Sequence, residues 1–174
     1  MMDARSSTRI KEMTAMHTED TATDRHTSDL DIIQSALVYE HEGIAAYRLA
    51  GASGLLTPDT LKAAGLFRGH HEAHRDQLAS LVIETGGSPV EPKSDEQYVA
   101  ELKLATLRTE ADIVRLATEL ERGAATGYIG QIKGLRDRRL AHLFAQMSAD
   151  EMTHWTTLNN AAGVALPAMA FQFG

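Results

Sequence analysis

The sequence predicts an all-α protein: four long helices forming a bundle, arranged as two helix hairpins joined by a crossover segment that holds a short helix. Three observations predict it. Proline is rare, four in 174 residues, and the chain favours Ala, Leu, Glu and Arg, which lose little side-chain freedom in a helix. Helix start and stop signals recur at helix-length intervals. Within those intervals apolar residues return in steps of three and four, the period of one helix face.

The first helix begins at Ser28, a cap residue followed three positions on by Asp31, and runs to about Ala50 before "GASGLL". The second starts at Thr57, with Pro58 at its first helical position, and ends at Gly86 and Gly87. "SPVEPK" breaks the pattern, and "SDEQYVAELKLATLR" after it reads as the short helix. Thr109 with Asp112 caps the third long helix, which runs to about Ile132; Asp137 caps the fourth, which runs to about Ala162 and stops at Gly163.

These boundaries give a bundle domain over residues 28–162, large enough to bury a core without staples. Residues 1–27, rich in Thr, Ser and Asp, read as a flexible N-terminal tail. Residues 163–174, which include "VALPAMAFQFG", form an apolar C-terminal tail expected to pack on the bundle or on a neighbouring subunit of a homo-oligomer, a dimer or larger.

Composition excludes several classes of function. A formal net charge of -7 disfavours nucleic acid as a partner, since phosphate recognition needs a basic face. No segment approaches the roughly 18 apolar residues of a membrane span, and the N-terminus lacks the apolar stretch of a secretory signal. A soluble cytoplasmic protein is expected. With no cysteine, disulfides and thiolate metal sites are ruled out, so any metal must be held by His, Asp and Glu.

The segment "GHHEAHR", residues 69–75, concentrates three of the eight histidines beside Glu72. It is not the H-E-x-x-H of zinc proteases, because His70 and His74 are four apart but His70 is followed by His71, and His71 and His74 are one residue too close. Its meaning lies in register. The inward stripe of the first helix is Leu30, Ile33, Leu37, Glu40, Ile44 and Tyr47, and that of the second is Ala64, Phe67, His71, His74, Leu78 and Leu81. The third gives Val114, Ala117, Glu121, Ala124 and Tyr128; the fourth gives Leu140, Phe144, Met147, Glu151, His154, Leu158 and Ala161.

Each stripe is apolar at its ends and interrupted midway by carboxylate or imidazole. The interruptions are spaced as a duplication: Glu40 precedes Tyr47 by seven residues as Glu121 precedes Tyr128, and Glu40 to His74 spans 34 residues against 33 from Glu121 to His154. Buried charges left unpaired are costly, and no Lys or Arg falls on the stripes. Divalent metal is the economical partner, since one ion takes carboxylate oxygen and imidazole nitrogen in the same shell.

One Glu from each of two helices, Glu40 and Glu121, combined with the E-x-x-H of Glu151 to His154, is a pattern in which i and i+3 share a face. Here the chain resembles the ferritin-like superfamily, in particular the small single-domain bacterial ferritin-like proteins and, more distantly, bacterioferritin and rubrerythrin. The resemblance implies that Glu40 and Glu121 are terminal metal ligands, that Glu151 bridges, and that His74 and His154 each hold one metal. It implies two iron ions, with manganese or zinc as alternatives, and a ferroxidase-like or peroxidase-like oxidation of the bound divalent metal. Tyr47 and Tyr128 match tyrosines that hydrogen-bond the ligands or donate electrons, and can equally be plain core aromatics. Asp150 matches the aspartate that orients a ligand histidine from the opposite half.

The chain departs from the family at His71, which stands where a second bridging glutamate is expected and joins the candidate ligands in its place. His70 correspondingly stands opposite Asp150. An imidazole nitrogen offers one lone pair where a carboxylate offers two oxygens. Glu72 turned inward, a bridging hydroxide, or a site of one metal or two unlike metals would each answer the loss; His70 is a further candidate ligand. Two other functions stay open: a non-catalytic structural or stress-associated bundle that holds zinc, manganese or nothing, and an oxidase or oxygenase of a small molecule, which needs an apolar cavity beside the metals.

Overall fold

The computed structural model describes residues 28–165 and 167–173; the N-terminal tail expected over 1–27 lies outside the described residues. The long helices are α1 (Asp29–Gly51), α2 (Pro58–Glu84), α4 (Glu110–Ile132) and α5 (Arg138–Ala161), with the short α3 (Asp95–Glu101) and a 3-10 turn (Leu104–Thr106) in the crossover. At about 1.5 Å of rise per residue, each long helix extends roughly 35–40 Å. No helix among the described residues is long and apolar enough to cross a membrane.

Local chemistry starts the helices where the sequence predicts. Ser28 and Thr109 form capping boxes with Asp31 and Asp112, in which each cap side chain accepts from the backbone three residues on and the carboxylate accepts from the cap. Thr57 caps α2 ahead of Pro58, and Ser94 with Gln97 caps α3. Gly86 and Gly163 lie just past the ends of α2 and α5 with positive φ, 80° and 69°, where a side chain would be strained. The crossover helix is shorter than expected: Leu102 ends it and Lys103 enters the left-handed region at φ 52°, so "ELKLATLR" turns rather than continues.

α1 pairs with α2 and α4 with α5; the hairpins meet chiefly through α1 and α4, and only slightly through α2 and α5. The crossover runs along α1. The Gln34 amide donates to the Ser88 carbonyl at 2.7 Å and accepts from the Val90 amide at 2.8 Å, and Arg48 pairs with Asp95. Asp29, at the start of α1, accepts from the amides of Arg136 and Asp137, both at 2.9 Å, and so ties the first half to the turn between α4 and α5.

Ile33, Leu37, Leu78, Val82, Tyr128, Phe144 and Met147 build the apolar core at one end. Ala50, Ala64, Phe67, Ile113 and Leu158 close the other. Between them Glu40, His71, His74, Glu121, Glu151 and His154 are all buried. Beyond Glu40 the buried residues of α1 are Gly43, Ala45, Ala46 and Ala50, while the expected Ile44 is only half-buried. A straight helix drifts about 20° per heptad from a 3.5-residue repeat, and small residues admit the close approach of α2. The C-terminal tail returns toward α5, where Phe173 meets Trp155 edge-on with ring centroids 5.2 Å apart.

Candidate metal centre

Both halves deliver their polar residues to one level. Glu40 on α1 and Glu121 on α4 face each other across the bundle, with the α2 histidines and the α5 Glu151 and His154 closing the sides. His71 lies between these two glutamates: its Nδ1 is 2.7 Å from Glu40 Oε2 and its Nε2 3.4 Å from Glu121 Oε1. His74 Nδ1 is 3.1 Å from Glu151 Oε1 and 3.6 Å from Glu40 Oε1. His154 Nδ1 is 3.3 Å from both Glu121 Oε2 and Glu151 Oε2.

Supporting contacts cross between halves. The Tyr47 hydroxyl donates to Glu121 and the Tyr128 hydroxyl to Glu40, so each tyrosine serves the glutamate of the other hairpin. His74 Nε2 lies 3.2 Å from Asp150 Oδ2, and His154 Nε2 lies 2.8 Å from His70 Nδ1. His70 and Asp150 thus occupy equivalent outer positions, each against the other half's histidine. Glu72 is not brought in: it remains half-exposed and pairs with Arg68 at 3.3 Å, one turn earlier on the outer face of α2.

Two features lay outside the sequence reading. A Cβ on Gly43 would stand 2.9 Å from the His71 ring, so the missing side chain is what admits the imidazole. The sequence shows a glycine three residues after Glu40, but what faces it is set by the packing of α2. Phe67, expected only as core, stacks on His154 with ring centroids 4.2 Å apart and helps fix its plane.

Electrostatics follow from burial and pairing. Burial alone would raise the Glu40 pKa, but the hydrogen bond from His71 and the nearby imidazole of His74 bring it down to about 2; Glu121, likewise buried, is lowered by His154 and His71. Glu151 is the carboxyl that burial pushes up. Burial opposes charge on the histidines, yet Glu151 and Glu40 lift His74 to about 10, Glu121 and Glu151 lift His154 to about 9, and Glu121 and Glu40 hold His71 well above the usual imidazole range. Burial, reinforced by the carboxylates, holds both tyrosines protonated.

Two sets of donors come within 4.8 Å of one another: Glu40, His71, His74 and Glu151, and His71, Glu121, Glu151 and His154. They share His71 and Glu151. Two polar atoms in the first set, His74 Nδ1 and Glu151 Oε1, are buried with no hydrogen-bond partner. Leaving such an atom unsatisfied costs about 1–3 kcal/mol, and both can serve as metal donors once His74 gives up its inner proton. The residues therefore fit a divalent ion, and an all N/O donor set suits iron, manganese or zinc.

Two cavities adjoin the site. One of about 160 Å³, between α1 and α4, is lined by Tyr39, Glu42, Gly43, His71, Glu119 and Gly123. The other, about 40 Å³, is walled by Tyr47, Ala64, Phe67, Ile113 and Leu158.

A family model described as a ferritin-like domain matches residues 28–164, the whole bundle with its cluster. The chain belongs to the ferritin-like domain family. No curated protein matches it. Among solved structures, this ferritin-like chain is similar to a conserved hypothetical protein, rv2844, from Mycobacterium tuberculosis, at 20% identity with a TM-score of 0.68, over 80% of this chain and 94% of that one. At that identity the likeness speaks for the fold alone. The buried His and Glu cluster of the ferritin-like bundle is compatible with metal binding.

Proposed function

We propose that this protein binds divalent metal at the buried cluster, two ions per chain with iron the foremost candidate, and handles iron or peroxide by oxidation of the bound metal. The observation that carries the reading is the pair of unpartnered atoms, His74 Nδ1 and Glu151 Oε1, 3.1 Å apart in the core. Neither makes a well-aligned hydrogen bond among the described residues. Glu40, His74 and Glu151 would hold one ion, and Glu121, His154 and Glu151 the other, with His71 within reach of both.

Bound ferrous iron would supply the electrons passed to oxygen or peroxide. The chain's own residues would position and insulate. Tyr128 and Tyr47 fix the carboxylate planes of Glu40 and Glu121; Asp150 and His70 fix the imidazole planes of His74 and His154. Phe67 and the apolar ends of the bundle keep bulk water from the cluster. The small cavity beside Tyr47, about 40 Å³, has room for a diatomic oxidant.

The test is anaerobic titration of metal-free protein with ferrous iron, followed by air. Two irons bound per chain and a near-ultraviolet absorbance rise on aeration, lost in Glu121→Ala, are expected. Binding without any absorbance change defeats the oxidative part.

One observation favours the non-catalytic reading. Three histidines and three glutamates can neutralise one another, as the raised histidine and lowered glutamate pKa values indicate, so the bundle has a charge-balanced state without metal. Under that reading zinc or manganese raises the melting temperature and air changes nothing.

A further inference from the structure

Two large apolar side chains of the C-terminal tail find almost no cover within their own chain: Phe171 is 94% exposed and Met169 79%. The tail is nevertheless held at both ends. The Val164 amide donates to the Asn159 carbonyl at 2.9 Å, and the Phe173 ring meets Trp155 on α5. Between these anchors the Gln172 side-chain amide donates to the Met169 carbonyl at 2.6 Å. Phe171 also has a φ of 60°, in the left-handed region, where a bulky residue is strained. Within one chain neither the strain nor the exposed ring is compensated.

Beside the tail lies a groove of about 900 Å³, outside the polar cluster, among α2, α4 and α5. Its apolar walls include Ala63 and Phe67 on α2, Val114 on α4, Trp155 and Leu158 on α5, and Val164 at the base of the tail. Trp155 and Val164 thus serve both features, so tail and groove share an edge. The groove's charged residues are of both signs, and Arg115, Glu119 and Arg122 among them are exposed. Residues 164–173 carry no charge, so a tail of this sequence fills such a groove without burying an unpaired charge of its own.

We propose that the groove receives the C-terminal tail of a second copy of this chain, and that two chains exchange tails about a two-fold axis, with Phe171 as the anchor and Met169 beside it. Aromatic and methionine side chains are the ones enriched in interface cores. Because tail and groove share an edge, the two-fold arrangement fills both grooves at once, and association closes at two chains. The buried area is sufficient. An aromatic ring buries about 150–250 Å²; with Met169, each tail removes roughly 350 Å² from water and covers a similar area of groove, so the reciprocal pair buries about 1,400 Å². Stable interfaces bury about 1,200–2,000 Å². The partner's tail would overlie Phe67 and Leu158, which also wall the small cavity beside Tyr47. The exchange does not depend on metal at the cluster.

Analytical ultracentrifugation of the full-length protein at micromolar concentrations tests the proposal, together with the fluorescence of Trp155, the single tryptophan of the chain and part of the groove wall. A monomer–dimer equilibrium is expected, with Trp155 emission moving to shorter wavelength as the dimer forms. Phe171→Ser removes the anchor from an exposed position and should weaken dimerisation at least about 30-fold, the size of a central aromatic contact. Ala162→Arg, just past the end of α5, puts a charged side chain into the groove and should weaken it to a similar degree. Circular dichroism and the melting temperature of both variants check that the bundle is intact. A protein that is monomeric at every concentration overturns the proposal, as does a particle whose size neither variant changes. An effect in only one of the two variants overturns it as well, because tail and groove would then belong to different contacts.

Discussion

His71 makes the site depart from its own duplication, and its neighbours show how one residue is accommodated. The ring fits because Gly43 has no side chain; a Cβ there would meet ring atoms at 2.9–3.0 Å. Gly43→Ala gains helix propensity worth about 0.5–1 kcal/mol, but overpacking a filled core costs about 1–3 kcal/mol, so a net loss of stability is expected. Gly65→Ala, on α2 with nothing within 4 Å of the added carbon, should instead gain about 0.5–1 kcal/mol. Paired denaturant midpoints of the two variants check the opposite signs. At this scale the buried polar cluster was legible, because Glu40, Glu121, Glu151, His74 and His154 sit where carboxylate and imidazole interrupt apolar stripes. Gly43 was not, since a mid-helix glycine has a meaning only when the group facing it is known.

At the scale of elements, helix starts were legible because capping is local: Ser28 and Asp31, or Thr109 and Asp112, satisfy backbone groups within a single turn. The crossover was harder to read. Its helical propensity continues past Glu101, but the chain has to turn toward α4, and Lys103 takes the left-handed conformation that allows it. Asp29 links elements more than 100 residues apart by accepting from the Arg136 and Asp137 amides. Asp29→Ala should cost about 1–2 kcal/mol, a cap's usual contribution. Faster hydrogen exchange at the start of α5 should accompany the lowered denaturant midpoint.

For the whole molecule, the metal-free cluster implies a stability profile with pH. His74 and His154, raised from 6.5 to about 10 and about 9, contribute stability that is complete below 6.5 and lost as pH rises through those values. Glu40, lowered from 4.5 to about 2, contributes stability that is complete above 4.5 and lost as pH falls toward 2. The melting temperature of chelator-treated protein should therefore peak between these limits and decline on either side. Divalent metal requires unprotonated nitrogen, so binding releases protons and strengthens as pH rises. The gap in melting temperature between metal-loaded and chelator-treated protein should widen from about pH 6 to about pH 8.5, and at a free metal concentration of about 100 times Kd the added stability is about 2.7 kcal/mol. Scanning calorimetry in both states decides it; a gap that shrinks with pH would falsify the coupling of metal to these histidines.

By itself the sequence determined the helical class, the helix starts and the polar level of the bundle, all of which follow from periodicity and capping within a few residues. The spacing of Glu40 and Tyr47 against Glu121 and Tyr128 also revealed the duplication. Only the tertiary structure decided that each tyrosine serves the other half's glutamate, that Glu72 stays outside with Arg68, and that His71 lies between Glu40 and Glu121. Those are distances between helices, fixed by how the two hairpins dock. Residues 31 to 88 positions apart in the chain meet there only because side-chain volume on every packed face, down to the missing methyl of Gly43, permits it.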